Sequence, residues 1–216
     1  MIRLQAIANL IENAKNVVDI GSDHAFLSLL LIKQKRAQIV YNIEKNKSPY
    51  EVSVKNTKFF ENQIINILSD GFAGFDKNIV VDYCVISGMG AHNMLNILNA
   101  CQNQINNLIL CANNNVNLIR EFAYEKNYNF IKDFSVLENN RIYPIIWLSN
   151  SAGIKPLNDE KSLYCGLDIL KQEDNYYKLD LENKISLLKK HKNLKENNYA
   201  KYLELQIYIQ ELQRWK

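Results

Sequence analysis

Apolar and polar positions along the chain follow two alternating periods. Between Arg3 and Ala14, Leu4, Ile7, Ala8, Leu10 and Ile11 recur at the spacing of an amphipathic helix. Val17-Val18-Asp19-Ile20 is a short apolar run stopped by Gly21, the pattern of a buried strand. The alternation continues with a helix over Ala25–Gln34, a strand over Ala37–Ile43, and a helix over Tyr50–Phe60 opened by Pro49. Strands follow at Ile64–Leu68 and Ile79–Ile86, a helix at Met89–Cys101, a strand at Leu108–Cys111 and a helix at Val116–Lys126. Phe130–Leu137 and Arg141–Leu148 then read as two strands with no helix between them.

Five strands interleaved with helices and closed by a hairpin predict an α/β fold: a seven-stranded, doubly wound, Rossmann-like sheet, parallel except for one antiparallel strand. Beyond Pro156 the pattern becomes purely helical. A short helix is expected over Asp159–Leu170. Two longer ones carry stripes at Tyr177, Leu181, Ile185 and Leu188 and at Tyr202, Leu205, Ile209 and Leu212, with a turn at Asn197-Asn198. That pattern describes a coiled-coil-like helical hairpin. The expected division is 1–150 for the sheet domain and 151–216 for the helical one.

Composition narrows the function classes. With 216 residues, 47% hydrophobic and 23% charged, the chain can bury a core without staples. Four cysteines form no CxxC pair and only three histidines accompany them, so neither a zinc ribbon nor a disulfide framework is expected. The longest apolar stretch, Phe26–Ile32, is far short of the ~20 residues of a membrane helix, and the N-terminus does not read as a signal peptide. A cytoplasmic monomer without metal or membrane attachment is the expectation. The net charge of +3 excludes a polycation but advertises no nucleic-acid partner. The 30 Asn, and 21 Lys against 5 Arg, fit an AT-rich coding bias, so asparagine clusters alone carry no weight.

Candidate chemistry sits where strands end. Gly21 follows the first strand, in Asp19-Ile20-Gly21-Ser22-Asp23-His24-Ala25, without the further glycines of a dinucleotide loop or a Walker lysine. Glu44 ends the second strand, placed to accept both hydroxyls of a ribose. Asp70 follows the third, in Ser69-Asp70-Gly71, placed to accept from an adenine amino group. The fourth ends in Ser87-Gly88-Met89-Gly90, which leaves room for a reacting centre. Together they describe a site for an adenosine-bearing ligand lacking a pyrophosphate, and S-adenosylmethionine fits best.

These residues resemble the bacterial tRNA (adenine-22-N1)-methyltransferase family, TrmK. The resemblance rests on the DIGSDHA string at 19–25, Glu44 five residues before Pro49, Ser69-Asp70-Gly71, Ser87-Gly88-Met89-Gly90, and Leu108 to Asn113 with Ile119-Arg120-Glu121 and Tyr143. It spans essentially the whole chain. Two departures are Ala91 where the family has a second glycine, and Cys111-Ala112 where it has Gln-Pro.

The resemblance implies a cofactor pocket of Asp19, Gly21, Ser22, Asp23, His24, Glu44, Asp70, Gly71, Gly88 and Met89. It implies methyl transfer to N1 of an adenine in tRNA. The lone pair of N1 attacks directly, so the protein must chiefly align the partners. Asp23, or else His24, would face the developing positive charge, and Asn113 would hold the adenine amino group. The base must be flipped out, with Tyr143 or Phe26 available to stack on it. Arg3, Arg36, Arg141, Lys189, Lys190 and Lys192 are the candidate phosphate contacts. Competing readings keep the cofactor with another RNA or a protein acceptor, or make the chain a non-catalytic tRNA- or partner-binding module.

Overall fold

The structure is a computed structural model describing residues 2–172 and 174–215. Seven strands form one sheet: β1 (Ala14–Ile20), β2 (Ala37–Glu44), β3 (Ile64–Leu68), β4 (Val81–Ser87), β5 (Ile105–Cys111), β6 (Asn129–Glu138) and β7 (Arg141–Ser149). Their order is β3-β2-β1-β4-β5-β7-β6, and only β7 runs antiparallel to its neighbours. The order reverses between β1 and β4. Such a switch point opens a crevice at the carboxyl ends of the strands.

Side-chain alternation explains the unbroken apolar runs. Val18, Ile20, Cys84, Ile86, Leu108 and Leu110 face the cluster built with α4 (Ala91–Ala100) and α5 (Val116–Glu125). Val17, Val40, Val85 and Ile109 face the cluster built with α1 (Ile2–Asn9) and α2 (Phe26–Lys33). Both faces are covered, so each strand is apolar on both sides. The remaining helix of this part, α3 (Lys47–Thr57), runs into a 3-10 turn at Lys58–Phe60.

Several boundaries move from those expected. The first helix ends at Asn9, and Ala14 already belongs to β1, paired with Ala37. The helix expected over Asp159–Leu170 is two short ones, α6 (Glu160–Cys165) and α7 (Asp168–Lys171). Gly166 breaks it with φ +86°. A Cβ there would meet Asp133 Oδ2 at 2.6 Å, so no other residue fits without displacement.

The hairpin consists of α8 (Tyr177–Lys189) and α10 (Tyr199–Arg214), separated by a short α9 (Leu194–Asn197) rather than by a bare turn. The Asn198 side chain caps α10 by accepting from Lys201 N at 3.1 Å. The stripe on α8 is buried as its spacing requires; on α10 Leu205 is buried, Tyr202, Ile209 and Leu212 pack half-buried against the same cluster, and Tyr208 and Glu211 are buried beside them. Glu211 is tolerated because Tyr177 Oη, Arg214 Nη1 and Trp215 Nε1 donate to it at 3.1, 2.9 and 2.8 Å. A third apolar cluster, including Cys165, Tyr177, Leu181 and Leu205, holds these helices together.

A buried ionic cluster joins the helical part to the sheet. Arg120 on α5 donates from Nε to Asp133 Oδ2 on β6 at 2.9 Å, and from Nη1 to the carbonyls of Leu163 and Tyr164 at 2.8 and 3.0 Å. Lys171 reaches Asp133 at 2.8 Å and Asp174 at 3.2 Å, and Ser135 donates to Asp174 at 3.1 Å. Burial pushes the Asp133 carboxyl up, but Arg120 and Lys171 together hold it at about 2. Asp133→Ala would leave buried Arg120 with no carboxylate and buried Lys171 with Asp174 alone. We expect it to lower unfolding free energy by about 3–5 kcal/mol, read as a shifted urea midpoint.

Candidate active site

A cleft opens above the switch point in two lobes that share Gly21, Glu44 and Asn46. The first lobe, about 460 Å³, is lined by Ile20, Ile43, Asp70, Gly71, Met89 and Ile97 among others. The second, about 650 Å³, takes in Asp19, Ser22, Asp23, Ser87, Gly88 and Asn113, with Arg3, Arg141, Tyr143 and Phe26 on its walls. All but one of the pocket residues expected from the sequence therefore lie on one continuous cleft. The exception is His24, which lines neither lobe. Its ring stands edge-on to Phe26 at 5.5 Å, and its carbonyl accepts from Asn56 at 3.1 Å.

Each strand delivers its residue by a local device. β1 leaves the sheet through Gly21, whose φ of +71° turns the chain while its N–H donates to Ile43 O at 2.9 Å. A Cβ at that position would press on Met89 Cε at 3.0 Å. Glu44, at the end of β2, is buried, and its Oε1 accepts from Asn46 N at 2.8 Å. Its other oxygen has no donor among the described residues. Asp70 is exposed and paired with Lys45 at 2.7 Å, a loose surface pair that leaves lone pairs for a ligand amino group. Asn113 is pinned twice: its N–H donates to Met89 O at 2.9 Å and its Nδ2 to Gly88 O at 2.6 Å. Its Oδ1 is left to accept.

The cleft suits an adenosine-bearing sulfonium ligand. A buried carboxylate with one oxygen unfilled lines the first lobe, and the Ser22 hydroxyl beside the second is buried with no partner among the described residues. Such groups are normally satisfied, and a ligand's hydroxyl or ammonium groups would satisfy them. No group of three or more His, Cys, Asp or Glu among the described residues could hold a metal ion, and no described helix is long and apolar enough to cross a membrane.

The candidate phosphate contacts do not all gather at this cleft. Arg3 and Arg141 do, with their guanidinium carbons 4.6 and 5.1 Å from the centre of the Tyr143 ring. Lys190 lines an adjoining groove, while Lys189 and Lys192 lie exposed at the end of α8 and beyond it. Arg36 lines neither lobe of the cleft. It sits between α2 and β2 at the opposite edge of the sheet, donating to the carbonyls of Asn9 and Ile11 at 3.4 and 3.0 Å. Its charge satisfies the frayed end of α1.

Beneath the cleft runs a polar row that the sequence reading passed over. Asp19, Asn42 and Asn66 lie in lateral register on β1, β2 and β3, on a face otherwise apolar. Ser28 Oγ lies 2.9 Å from Asn42 Oδ1 and 3.4 Å from Asp19 Oδ2. Asn42 donates to Asn66 at 2.8 Å, Asn66 to Thr57 at 2.7 Å, and Thr57 to Ser53 O at 2.9 Å. Ser53 in turn donates to the carbonyl of Asp23 at 2.5 Å. The signal available in the sequence is a single asparagine inside each of two apolar strands, Asn42 and Asn66.

Comparison with known proteins places this geometry. A methyltransferase-domain family model matches residues 1–146. A putative tRNA methyltransferase of Mycoplasma genitalium, MG248, is 31% identical over 147 residues, 67% of each chain. The structure of M. capricolum TrmK with S-adenosyl-homocysteine superposes with a TM-score of 0.86 at 31% identity, covering 100% of this chain and 96% of that one. The chain belongs to the TrmK family. The tRNA (adenine(22)-N(1))-methyltransferase of Bacillus subtilis is 26% identical over 171 residues, covering 77% of this chain and 69% of that relative. The TrmK likeness thus extends through the C-terminal helices, which the family model does not reach.

Asp19 gives the TrmK cleft a pH dependence. Burial pushes its carboxyl from the ordinary 3.8 to about 7; the Ser28 hydrogen bond opposes this and the Glu44 charge adds to it. The folded protein therefore holds a proton that the unfolded chain releases between pH 4 and 7. Stability falls as pH rises through that window, by about 4 kcal/mol at 1.36 kcal/mol per unit, and is level above it. Asp19→Asn removes this slope. In the ligand-free protein its Tm is expected to exceed that of the parent above pH 7 and to converge with it near pH 4, as thermal melts across that range would show.

Proposed function

We propose that the protein transfers a methyl group from S-adenosylmethionine to N1 of adenine 22 in tRNA. The single observation that carries this reading is the joined pair of lobes. Glu44 and Asp70 line one, Gly88 and Asn113 line the other, and Gly21 is shared.

In this reading the first lobe holds the cofactor, with Glu44 on the ribose and Asp70 on the adenine. Bound there, S-adenosylmethionine supplies an electrophilic methyl group on a sulfonium. The second lobe receives the target base, flipped out of the tRNA. The work of the chain is alignment. Asn113 Nδ2, tied to Gly88 O, fixes the amide so that Oδ1 accepts from the exocyclic amino group and aims N1. Neutral N1 already carries a lone pair, so no base is required to activate it. Methylation leaves positive charge on the ring, and the Asp23 carboxylate on the wall of this lobe stabilises it. His24, outside both lobes, acts by shaping the loop that carries Asp23. Arg3 and Arg141 at the mouth bind phosphates on either side of the base.

We assign residues 1–150 to the methyltransferase domain and 151–216 to a helical domain that contributes to tRNA binding. The apolar cluster around Leu181 and Leu205 supports this division.

The direct test is incubation of the purified protein with methyl-labelled S-adenosylmethionine and unmodified tRNA, followed by nucleoside mapping. The label is expected in 1-methyladenosine at position 22; transfer to peptides but not to tRNA would overturn the reading. Asn113→Ala should lower kcat on the order of 10- to 100-fold, the worth of one hydrogen bond to a charged group, with the KM for S-adenosylmethionine little changed. Asp70→Ala should do the reverse, weakening cofactor binding while tRNA affinity holds.

A further inference from the structure

The cleft does not end at the second lobe. A groove of about 740 Å³ continues from it between the carboxyl edge of the sheet and the hairpin, and Asn113 and Arg141 line both spaces. One wall is the start of α5, with Asn115 and Asn117; the other is the face of α8 that carries Asn183, Leu187 and Lys190. Those three are spaced by four and three residues, so they form one stripe along the helix.

The chemistry of that stripe is specific. Leu187 is 59% exposed, an apolar side chain left open while Leu181 and Leu188 of the same helix are buried. The side-chain amides of Asn115, Asn117 and Asn183 have no hydrogen-bond partner among the described residues. The other charges in the groove are engaged: Lys184 pairs with Asp180 at 2.7 Å and lies over the Tyr208 ring, and Glu204 accepts from Tyr208 at 2.9 Å. Lys190 and Arg141 form no ion pair among the described residues. An exposed apolar contact, flanking amides that both donate and accept, and cations without an ion pair at the two ends match an unpaired nucleotide: its face, its edge and its phosphates. A free phosphate would have no use for Leu187, and a folded protein surface would need a larger apolar patch.

We propose that this groove is a second nucleobase subsite, which takes the RNA nucleotide next to the target adenosine. That neighbour lies with its face on Leu187, its edge on the Asn183 and Asn115 amides, and its phosphate near Lys190. The inference rests on the second lobe being the target-base site. It adds that two adjacent nucleotides leave the RNA stack together, and that the hairpin reads the second. Asparagines set aside as compositional drift thus acquire a role from their position.

The test is a coupling experiment with two tRNA transcripts, one intact and one carrying an abasic nucleotide beside the target adenosine, on whichever side responds. Each is methylated by the parent protein and by Asn183→Ala/Leu187→Ala. Both replaced residues are exposed, so the fold is expected to persist, and an unchanged melt confirms it. The parent should lose about 10-fold in kcat/KM for tRNA on the abasic transcript. The double variant should lose a similar factor on intact tRNA and nothing further on the abasic one, with its KM for S-adenosylmethionine unchanged. If the two losses multiply, or if neither change matters while the parent still methylates tRNA, the subsite is refuted and the methyltransferase reading stands. If the parent transfers no methyl to any tRNA, the reading beneath the subsite fails and the subsite goes with it.

Discussion

At the carboxyl edge of a parallel sheet every strand must turn away, and where neighbouring strands turn to opposite faces a crevice is unavoidable. Here that happens between β1 and β4, and Gly21 is the pivot. Its N–H stays bonded to β2 through Ile43 O while its φ swings the chain outward. The turn carries Ser22 and Asp23 into the second lobe, and the absent side chain leaves Met89 its place in the first. Everything proposed for the site depends on that single exit. The polar row beneath it braces the same turn from below, running from Asp19 through Ser28, Asn42, Asn66 and Thr57 to Ser53, which holds the carbonyl of Asp23.

The row also explains how a buried Asp19 is tolerated. Ser28 has one hydroxyl proton, and Asn42 is its nearer acceptor. A protonated Asp19 then donates to the Ser28 oxygen, and every bond in the row points the same way. An ionised Asp19 would claim the Ser28 proton, and both amides would have to turn. Desolvation and hydrogen-bond direction thus favour the same neutral form. A second polar assembly, Arg120-Asp133-Lys171-Asp174, does different work. Buried ion pairs add little net stability, but they are strict about geometry. Through the carbonyls of Leu163 and Tyr164 and through Lys171, the cluster fixes α6 and α7 against β6.

Most of the fold was legible because both periods in the chain are strong. The strand β3 and the closing hairpin follow directly from apolar runs bounded by turn residues. The helix expected over Asp159–Leu170 failed at Gly166, where contact with Asp133 rather than local propensity decides the backbone. The burial of Glu211 on α10 was invisible for a similar reason. Glu211 reads as a solvent residue until Tyr177, Arg214 and Trp215 are known to surround it. Residues at strand ends were found from position alone: Gly21, Glu44, Asp70 and Gly88 all line the cleft. That Arg36 lies away from the cleft was not legible, because charge says nothing about which edge of a sheet a loop occupies. Asn42, Asn66 and Asn183 were missed because a composition rich in asparagine hides the few whose surroundings matter.

The same consideration reshapes the meaning of a net charge of +3. Asp19, Glu44, Asp133, Asp174 and Glu211 are buried, so they contribute little to the surface that RNA meets. Their counter-charges are unevenly spent. Asp133 and Asp174 absorb Arg120 and Lys171, whereas Asp19 remains largely uncharged below neutrality. Arg3, Arg141 and Lys190 are left along one continuous line, from the second lobe into the groove. A chain of small net charge gains little from general attraction to a polyanion; it gains by placing a cation where a phosphate passes. For such a protein, specificity arises from the shape of a narrow path with single charges set along it.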